Sequence, residues 1–501
     1  MDNDTAKPDF HAQFRRAGQV TSFGSHRHTH PRENGEAHER TSLLGRAGSV
    51  FSDGGPDHSY VRDFFFNSAY TPGADSPKPW VRYPAHVWHI TKAVLLSSPL
   101  NVLLVFVPIG IVAGVTGWDP VAVFVINFLA IIPLAAVLSF ATEEISVRLG
   151  DALGGLLNAT FGNAVELIVS IIALNNGQFD VVKSSMIGSI LSNILLVMGM
   201  CFFFGNLANM GDGIVGLEQE FASGTAQTTA SLMTLSASSM ILPGTLFMII
   251  TTNGNTDNNG SREKTVLSLS RGTAIILLIL YVLYLWFQLK THHNLFTVED
   301  TNSDSGRNAA TDGAGVEEGR VEEHQEEEET HMSPWSAGAV LILTTILVSI
   351  CADYLVDSID ALVERAHISR NFIGLILIPI VGNAAEHVTA VVVAVKNKMD
   401  LAMGVAIGSS IQIALFVTPL LVVLGWIIGK PMDLHFETFE TVSFALSVLV
   451  VIYTVTDGKS NYLEGAMLMA LYVIIALAFF VTPSEEFEKE RAVAGTLFGS
   501  T

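Results

Sequence analysis

The chain holds 501 residues, 49% of them hydrophobic and 15% charged, with a formal net charge of −21. Its mean hydropathy is +0.44, and the apolar residues arrive in long blocks, so the sequence describes a polytopic membrane protein whose main surroundings are a lipid bilayer. The acidic balance excludes nucleic acid and anionic lipid headgroups as partners.

Residues 1–84 are rich in Gly, Ser, Pro, His and charge, and too poor in aliphatic residues to build a core, so a disordered cytosolic tail is expected there. Its histidines His26, His28 and His30 are read as solvated tail residues rather than metal ligands. The stretch Glu39-Arg40-Thr41-Ser42-Leu43-Leu44 resembles an acidic dileucine sorting signal, a hint of delivery to a vacuole-like membrane. No signal-peptide pattern opens the chain, so the first apolar span is expected to act as an internal insertion signal.

About eleven apolar runs follow, each long enough to cross about 30 Å of hydrocarbon at about 1.5 Å per residue. They lie near 100–116, 120–142, 157–174, 184–204, 225–250, 272–289, 336–355, 372–395, 401–428, 438–455 and 463–481. Cys201 and Cys351 both fall inside such runs and read as small buried hydrophobes, not as a disulfide or a metal site.

One phrase occurs twice. Gly162-Asn163-Ala164-Val165-Glu166 lies in the third run, and Gly382-Asn383-Ala384-Ala385-Glu386 in the eighth, 220 positions on (162 to 382). Gly188-Ser189 and Gly408-Ser409 keep the same offset (188 to 408). Two matches at one offset indicate an internal duplication. The repeat unit is five runs, with the first run outside both copies. After five crossings the chain begins its second copy from the opposite side, so the halves are expected to be inverted, with a site between them at mid-membrane. The expected fold is therefore an all-α membrane protein of about eleven transmembrane helices, one extra N-terminal span plus two inverted five-helix repeats. Its divisions are the tail at 1–84, a first span at 85–117, repeat 1 at 118–296, an acidic inter-repeat segment at 297–334, repeat 2 at 335–483 and a C-terminal tail at 484–501.

The inter-repeat segment carries Glu326, Glu327, Glu328 and Glu329 in one run. It reads either as a solvated linker or as a segment that attracts cations near a pore mouth. Lys and Arg are split almost evenly between the two sides, so the positive-inside rule does not decide orientation. A cytosolic N-terminus would put Asn259-Gly260-Ser261, a glycosylation acceptor sequence, on the lumenal side.

An ionisable side chain at mid-bilayer costs several kcal/mol unless it is paired or sits in a cavity. Glu166 and Glu386 each lie inside an apolar run, at equivalent positions of an inverted pair, and would meet near the axis between the halves. Asn163 and Asn383 stand three residues earlier, on the same helix face. Gly162, Gly382, Gly188 and Gly408 allow close approach of a helix or ligand. Thr160, Ser189, Ser192 and Asn193 in one half, and Ser409, Ser410 and Gln412 in the other, add oxygens; His387 is the sole imidazole beside them. Oxygen donors favour a hard cation, Ca²⁺ over Zn²⁺ or Cu²⁺, and two carboxylates neutralise a divalent charge. The candidate metal ligands are Glu166, Glu386, Asn163, Asn383, Thr160, Ser192 and Gln412; Glu166, Glu386 and His387 are the candidate proton-coupling groups. Metal and proton compete for the same oxygens, so the two are expected to move in opposite directions. Each pH unit then supplies about 1.36 kcal/mol per proton. Pro379, Pro419 and Gly404 loosen helices beside such a site. The acids at run ends, Glu143, Glu144 and Glu364, read as interfacial groups or as the mouth of an ion path.

The two motifs, Gly162 to Ile168 and Gly382 to His387, resemble the paired repeats of the Ca²⁺/H⁺ exchanger (CAX) family of the calcium/cation antiporter superfamily, of the fungal vacuolar type. The resemblance covers roughly residues 85–484. It implies a vacuolar exchanger that loads Ca²⁺ from the cytosol in return for lumenal H⁺, without a cofactor; the sequence does not give Mn²⁺ tolerance. It also implies ligand roles for Glu166 and Glu386 with Asn163 and Asn383 beside them, and a cytosolic acidic segment. The N-terminal tail matches no motif of that family. The alternatives are a Na⁺/Ca²⁺ antiporter of the same superfamily, a Ca²⁺ channel, and an intramembrane enzyme. For the last the chain has neither His-Glu-x-x-His nor an intramembrane Gly-x-Gly-Asp.

Overall fold

The computed structural model describes residues 71–73, 76–209, 218–221, 223–253, 259–291 and 332–482. The sorting-signal stretch, the tail histidines, the Glu326–Glu329 run and residues 484–501 lie outside them.

Among the described residues the chain is almost wholly helical. The helices are α1 Pro79–Ser97, α2 Phe106–Thr116, α3 Pro120–Phe161, α4 Ala164–Asn175, α5 Phe179–Ala208, α6 Ser223–Asn253, α7 Asn259–Trp286, α8 Pro334–Asp357, α9 Ile359–Ala366, α10 Arg370–Gly382, α11 Ala384–Val395, α12 Met399–Ile427, α13 Thr438–Val455 and α14 Tyr462–Val481. A 3₁₀ turn, Pro99–Val105, leads into α2. Eight spans are long and apolar enough to cross a membrane, nine if α10 and α11, bent by 57°, count as one. Two of the eleven expected spans fall outside that number. The run at 157–174 is divided at Gly162 and Asn163, which leaves α4 with 12 residues. The run at 225–250 became α6, whose first half is rich in Ser and Thr.

The helix starts follow local chemistry. Each half opens on a polar cap followed by proline at the first helical position. Asp119 accepts the Val121 N–H at 2.9 Å ahead of Pro120, and Ser333 accepts the Ser336 N–H at 3.2 Å ahead of Pro334. Proline has no N–H to leave unsatisfied there. The turns before α5 and α12 share a left-handed residue at the repeat offset, Gly177 (φ 79°) and Asn397 (φ 60°). Glycine and asparagine tolerate that region best.

Hydrogen bonds gather the helix ends into two faces. On one face Arg148 Nη2 donates to the Met332 carbonyl at 2.8 Å, Gln219 Nε2 donates to Asn397 Oδ1 at 2.8 Å, and Lys459 pairs with Glu218 at 3.1 Å. There the two-residue strands β1 Gln219–Glu220 and β2 Lys459–Ser460 pair antiparallel. On the other face Arg365 pairs with Asp119, Asn176 Nδ2 donates to Asp357 Oδ1 at 3.0 Å, and Lys183 pairs with Asp433 at 2.5 Å.

Burial ranks the spans. α5 and α12 are 78% and 67% buried over their apolar windows, against 22% for the span ending in α2 and 28% for α14. The centre is thus α5 and α12, with α4, α10 and α11 packed on them. α3 lies along α8, α14 packs on the second half of α5 where Gly199 and Gly465 bring the two backbones together, and α2 packs on α3 with most of its surface uncovered. Cys201 and Cys351 are buried and unbonded.

Candidate functional site at the helix breaks

The repeated motif breaks the helix in the same way in both halves. Asn163 (φ −102°, ψ 28°) and Asn383 (φ −90°, ψ 4°) leave helical geometry for one residue, and α4 and α11 begin immediately after. This is the bridge region, which few residues occupy and which recurs at active sites. Glu166 and Glu386 then fall in the first turn of α4 and of α11. The positive end of a helix dipole there suits a negative charge.

The structure brings the two motifs together. A Cβ added to Gly382 would overlap Glu166 Oε1, so the carboxylate of one repeat rests on the backbone of the other. Glu166 is 4% exposed and Glu386 half-buried. The two carboxylates are close enough to repel one another.

Around them runs a cross-repeat network. Asn163 Nδ2 donates to Gln412 Oε1 at 2.7 Å, and Asn163 Oδ1 accepts from Ser409 Oγ at 2.9 Å. Asn193 Nδ2 donates to Ser409 Oγ at 3.1 Å. Ser192 Oγ and His387 Nε2 lie 3.1 Å apart and share a proton in one sense or the other. Ser409 and Gln412, which hold Asn163, have Ser189 and Ser192 as their counterparts at the 220 offset (189 to 409, 192 to 412). Neither of these bonds Asn383: both its side-chain polar atoms are buried without a partner among the described residues, and so are Ser189 Oγ and Asn193 Oδ1.

The unpartnered atoms near the breaks are mostly oxygens: Glu166 Oε1, Glu386 Oε2, Asn383 Oδ1, Asn193 Oδ1 and Ser189 Oγ, with Asn383 Nδ2 the one nitrogen among them; Ser170 Oγ and Thr418 Oγ1 are further buried oxygens without a partner. Leaving such an atom without a partner costs about 1–3 kcal/mol, so the oxygens around the two carboxylates call for a cation or water. Among the described residues no three His, Cys, Asp or Glu side chains converge as a ligand set. The site therefore offers two carboxylates and neutral oxygens, a donor set for a hard ion.

The two halves differ around this centre. In the second, α10 packs onto α5: Gly188 meets the Leu375 backbone and Gly374 meets Ser184. In the first, the corresponding stretch is the end of α3, which bends back near residue 150 so that Gly154 faces the Ser146 backbone. A straight helix would hold those residues about 12 Å apart. It leaves α12 uncovered, with no atom within 4 Å of a Cβ built on Gly404 or Gly408.

The sodium/calcium exchanger protein family matches this chain over residues 120–290 and 336–481, two blocks that each contain one motif. The chain belongs to that family. Among curated relatives of this exchanger-family chain is the vacuolar calcium ion transporter of Schizosaccharomyces pombe, 48% identical over 397 residues, which cover 79% of this chain and 87% of that protein. The Ca²⁺/H⁺ antiporter of Aphanothece halophytica is 45% identical over 381 residues, 76% of this chain and 96% of that one. The solved structure of native YfkE superposes with a TM-score of 0.60 at 34% identity and covers 76% of this chain and all of that one.

Other candidates in this exchanger-family chain stand as follows. Thr160 is half-buried on α3, and its hydroxyl donates to the Leu156 carbonyl at 2.9 Å instead of turning to the cluster. Glu143 and Glu364 are exposed. Glu144 is buried, and its Oε2 accepts the Met332 N–H at 3.0 Å. It thereby fixes the start of the second half to α3. Ser170 and Thr418 escaped the sequence reading. Ser170 stands one turn after Glu166 on its helix face, a signal the sequence does hold; Thr418 precedes Pro419 with nothing to mark it.

Proposed function

We propose that this exchanger-family chain is a secondary active antiporter that moves Ca²⁺ from the cytosol into the vacuole in exchange for lumenal H⁺. The observation that carries the reading is the pair of carboxylates, one from each repeat, buried together among unpartnered oxygens. A dehydrated divalent ion satisfies those oxygens and neutralises both charges. When the ion leaves, protons on the same carboxylates remove the charge instead, so the pocket is never left with two bare anions in a low-dielectric setting. Exclusive occupancy is what couples the two flows. The names of the relatives, a vacuolar calcium ion transporter and a Ca²⁺/H⁺ antiporter, support it.

Glu166 and Glu386 are the ligands in this reading. Asn383 Oδ1 and Asn193 Oδ1 complete the shell, and Asn163, Ser409 and Gln412 hold the break of the first repeat in shape. His387 and Ser192 stand beside the second carboxylate as proton-handling groups. The eleven-crossing, inverted arrangement is part of the proposal. It is supported by the pairing of Asp119, before α3, with Arg365 on one face and the bonding of Met332, before α8, to Arg148 on the other. With the N-terminus cytosolic, the face of Met332 and Lys459 is cytosolic and that of Asp119 and Asp433 lumenal. The close packing of α10 on α5 then shuts the lumenal path, and the uncovered Gly404 and Gly408 line the cytosolic one. The acidic run Glu326–Glu329, outside the described residues, is read as a segment that attracts cations.

The deciding experiment uses the purified chain in liposomes. Ca²⁺ uptake driven by a pH gradient with no Na⁺ present is expected. Uptake that needs Na⁺, or a Ca²⁺ current indifferent to pH, would replace this reading with the Na⁺/Ca²⁺ antiporter or the channel.

A further inference from the structure

One buried polar side chain lies away from the exchange site and is tied to a helix that carries half of it. Gln219, in β1, is 7% exposed. Its Nε2 donates to the Ala394 carbonyl at 3.3 Å and to Asn397 Oδ1 at 2.8 Å, both at the end of α11. Beside it Asn209 Nδ2, just past the end of α5, donates to the Val395 carbonyl at 3.2 Å. The last carbonyls of a helix have no intrahelical N–H to accept, and these two side chains reach them from outside α11. Gln219 Oε1 is buried with no partner among the described residues, a cost that an apolar residue would avoid. What the glutamine adds at this position is its N–H pair.

Gln219 is itself held on α5. Its N–H donates to Asn206 Oδ1 at 3.3 Å, and its carbonyl accepts from Ser460 Oγ at 3.3 Å. Asn206 Nδ2 donates to Ser460 Oγ at 3.2 Å, and both residues are buried. Gly205 of α5 leaves the room: a Cβ there would lie 2.7 Å from Gln219 Oε1 and 3.2 Å from the Ala394 Cβ. The glutamine thus fills a notch between α5 and α11. In the first half the end of α4 is tied elsewhere. There Asn176 and Gln178 donate to Asp357 and to the Val356 carbonyl of α8. The fastening of α11 to α5 is therefore not part of the duplicated plan.

α11 runs along the second half of α5, beginning at the π turn Ser192–Val197. At the site end, Ser192 Oγ and His387 Nε2 stand 3.1 Å apart. Ala394 is seven residues further on, about 10 Å along the helix. A rod held at one point can pivot, and held at two it keeps its angle. Glu386 belongs to α11, while Asn193 with its unpartnered Oδ1 belongs to α5. Their spacing depends on the register of one helix on the other. α10 lies across the break at Asn383 and packs on the first half of α5 through other residues, Gly374 on Ser184 and Leu375 on Gly188.

We propose that Gln219 is a positioning residue of the exchange site: it fastens the far end of α11 to α5, so that Glu386 keeps its register on Asn193 while α10 moves about the break at Asn383. The inference rests on the antiport reading above and deepens it. Oxygens already set at the metal's distance bind it more tightly than oxygens that must be gathered, because less ordering remains when the ion arrives. With Gln219 in place, α10 can open and close without carrying Glu386 away from its partners on α5. Without it the Asn209 bond alone ties that end of α11 to α5 by a side chain, and the helix is free to tilt on its contact at Ser192.

The full-length chain in liposomes tests this. Wild-type Ca²⁺ uptake driven by a pH gradient is measured first, and its absence defeats the antiport reading before Gln219 is touched. Given that activity, Gln219→Ala is expected to raise the KM for Ca²⁺ about tenfold and to leave the maximal rate within about twofold of wild type, the pattern of lost ion binding. A residue that only stabilises the fold would lower the maximal rate and leave KM alone. A disulfide supplies the rescue. The 3.2 Å between a Gly205 Cβ and the Ala394 Cβ is a few tenths short of the usual spacing of about 3.5–4.5 Å, so Gly205→Cys with Ala394→Cys can join α5 to α11, and Gln219→Ala removes the Oε1 that crowds the notch. In a Cys201→Ala, Cys351→Ala background, this bridge is expected to return KM to within about twofold of wild type when oxidised, and reduction of the same sample to raise it again. Ser184→Cys with Gly374→Cys, whose Cβ atoms would stand 3.1 Å apart, joins α10 to α5 instead, and its oxidation is expected to stop uptake. An unchanged KM in Gln219→Ala, a KM that ignores the α5–α11 bridge, arrest of uptake by that bridge, or uptake that survives the α5–α10 bridge each overturns the proposal. Should Gln219→Ala fail to fold, Gln219→Glu decides. It keeps the length and loses both N–H bonds, so the same rise in KM is expected, and a wild-type KM overturns the proposal.

Discussion

At the scale of single residues, the two carboxylates are distinguishable from a pair of structural hydrogen-bond donors by what their amides would do. Glu166→Gln and Glu386→Gln keep volume and polarity and remove the charge that a divalent ion needs. Each is expected to fold normally and to lose pH-driven Ca²⁺ uptake by roughly a hundredfold or more, read in liposomes against a thermal melt of the same preparation. Gly382 is a second probe. Its missing side chain is the space that Glu166 Oε1 occupies, so Gly382→Ala is expected to displace the carboxylate and weaken Ca²⁺ binding about tenfold or more by calorimetry. Gly162→Ala should act on its own helix and less on the carboxylates, since its Cβ would press on the Asn158 carbonyl at 2.7 Å while Gln412 Oε1 of the other repeat lies 3.9 Å away. Glu166 and Glu386 were legible in the sequence because an acid in an apolar run is conspicuous and two at one offset are more so. The unequal state of Asn163 and Asn383 was not. Their local sequences are near copies, and a sequence that repeats itself holds no record of which half is engaged.

At the scale of elements, the asymmetry lies in the half-helices before each break. α10 is wedged onto α5 through Gly188, whereas the end of α3 leaves the equivalent Gly408 on α12 open. Gly188→Ala therefore drives a methyl into the Leu375 backbone, an overpacking expected to cost about 1–3 kcal/mol. Gly408→Ala meets nothing and is expected to leave the thermal melt unchanged. Equal shifts in the two variants would mean that the halves are packed alike in solution. The helices themselves were readable from unbroken apolar runs, and nine expected spans recur to within a few residues except where the helix outlasts its apolar part, as in α3 and α8. The π turns Ser192–Val197 and Ile413–Val417, one in each central helix, left no trace in the sequence. They arise from how the site's helices fit one another. The left-handed turns were hidden for another reason: Gly177 in one half is Asn397 in the other, two residues that meet the same backbone demand without looking alike.

For the whole molecule, the two faces meet different solutions if one of them borders an acidic lumen. Asp119 joins α3 to the end of α9 by its pair with Arg365. The hydrogen bond from Arg365 holds the Asp119 carboxyl below its ordinary range, against a smaller opposing effect of burial. A carboxylate depressed in the folded state contributes stability above its unfolded pKa and loses it only as pH falls through the folded value. Near pH 5, about one unit above the ordinary Asp value, the pair remains ionised. Asp119→Asn is thus expected to shift the melt equally at pH 7 and pH 5; a shift confined to pH 7 would mean that the pair is already lost in mild acid.

Access to the centre is the remaining whole-molecule property, and the two buried cysteines make it measurable. Neither Cys201 nor Cys351 is open to a water-soluble thiol reagent, so the wild-type chain is expected to stay unlabelled. Gly404 and Ser184 are counterparts at the repeat offset (184 to 404), each one turn before the Gly-Ser pair of its helix. Gly404 is uncovered, while Ser184 is fully buried beneath Gly374. Gly404→Cys is therefore expected to react with an impermeant maleimide added on the side of Met332 and Lys459, and Ser184→Cys to stay silent from both sides. If both react, or if Ser184→Cys alone does, the packing of α10 is not the shut gate of the resting protein. On the antiport reading proposed above, the opposite arrangement forms in turn, with the end of α3 on Gly408 and α10 lifted from Gly188. A lumen-to-cytosol pH gradient applied across the vesicle is then expected to raise the Ser184→Cys rate and lower the Gly404→Cys rate together. Reciprocal change at two positions on opposite sides of one site is the sign of alternating access; a channel would show both open at once.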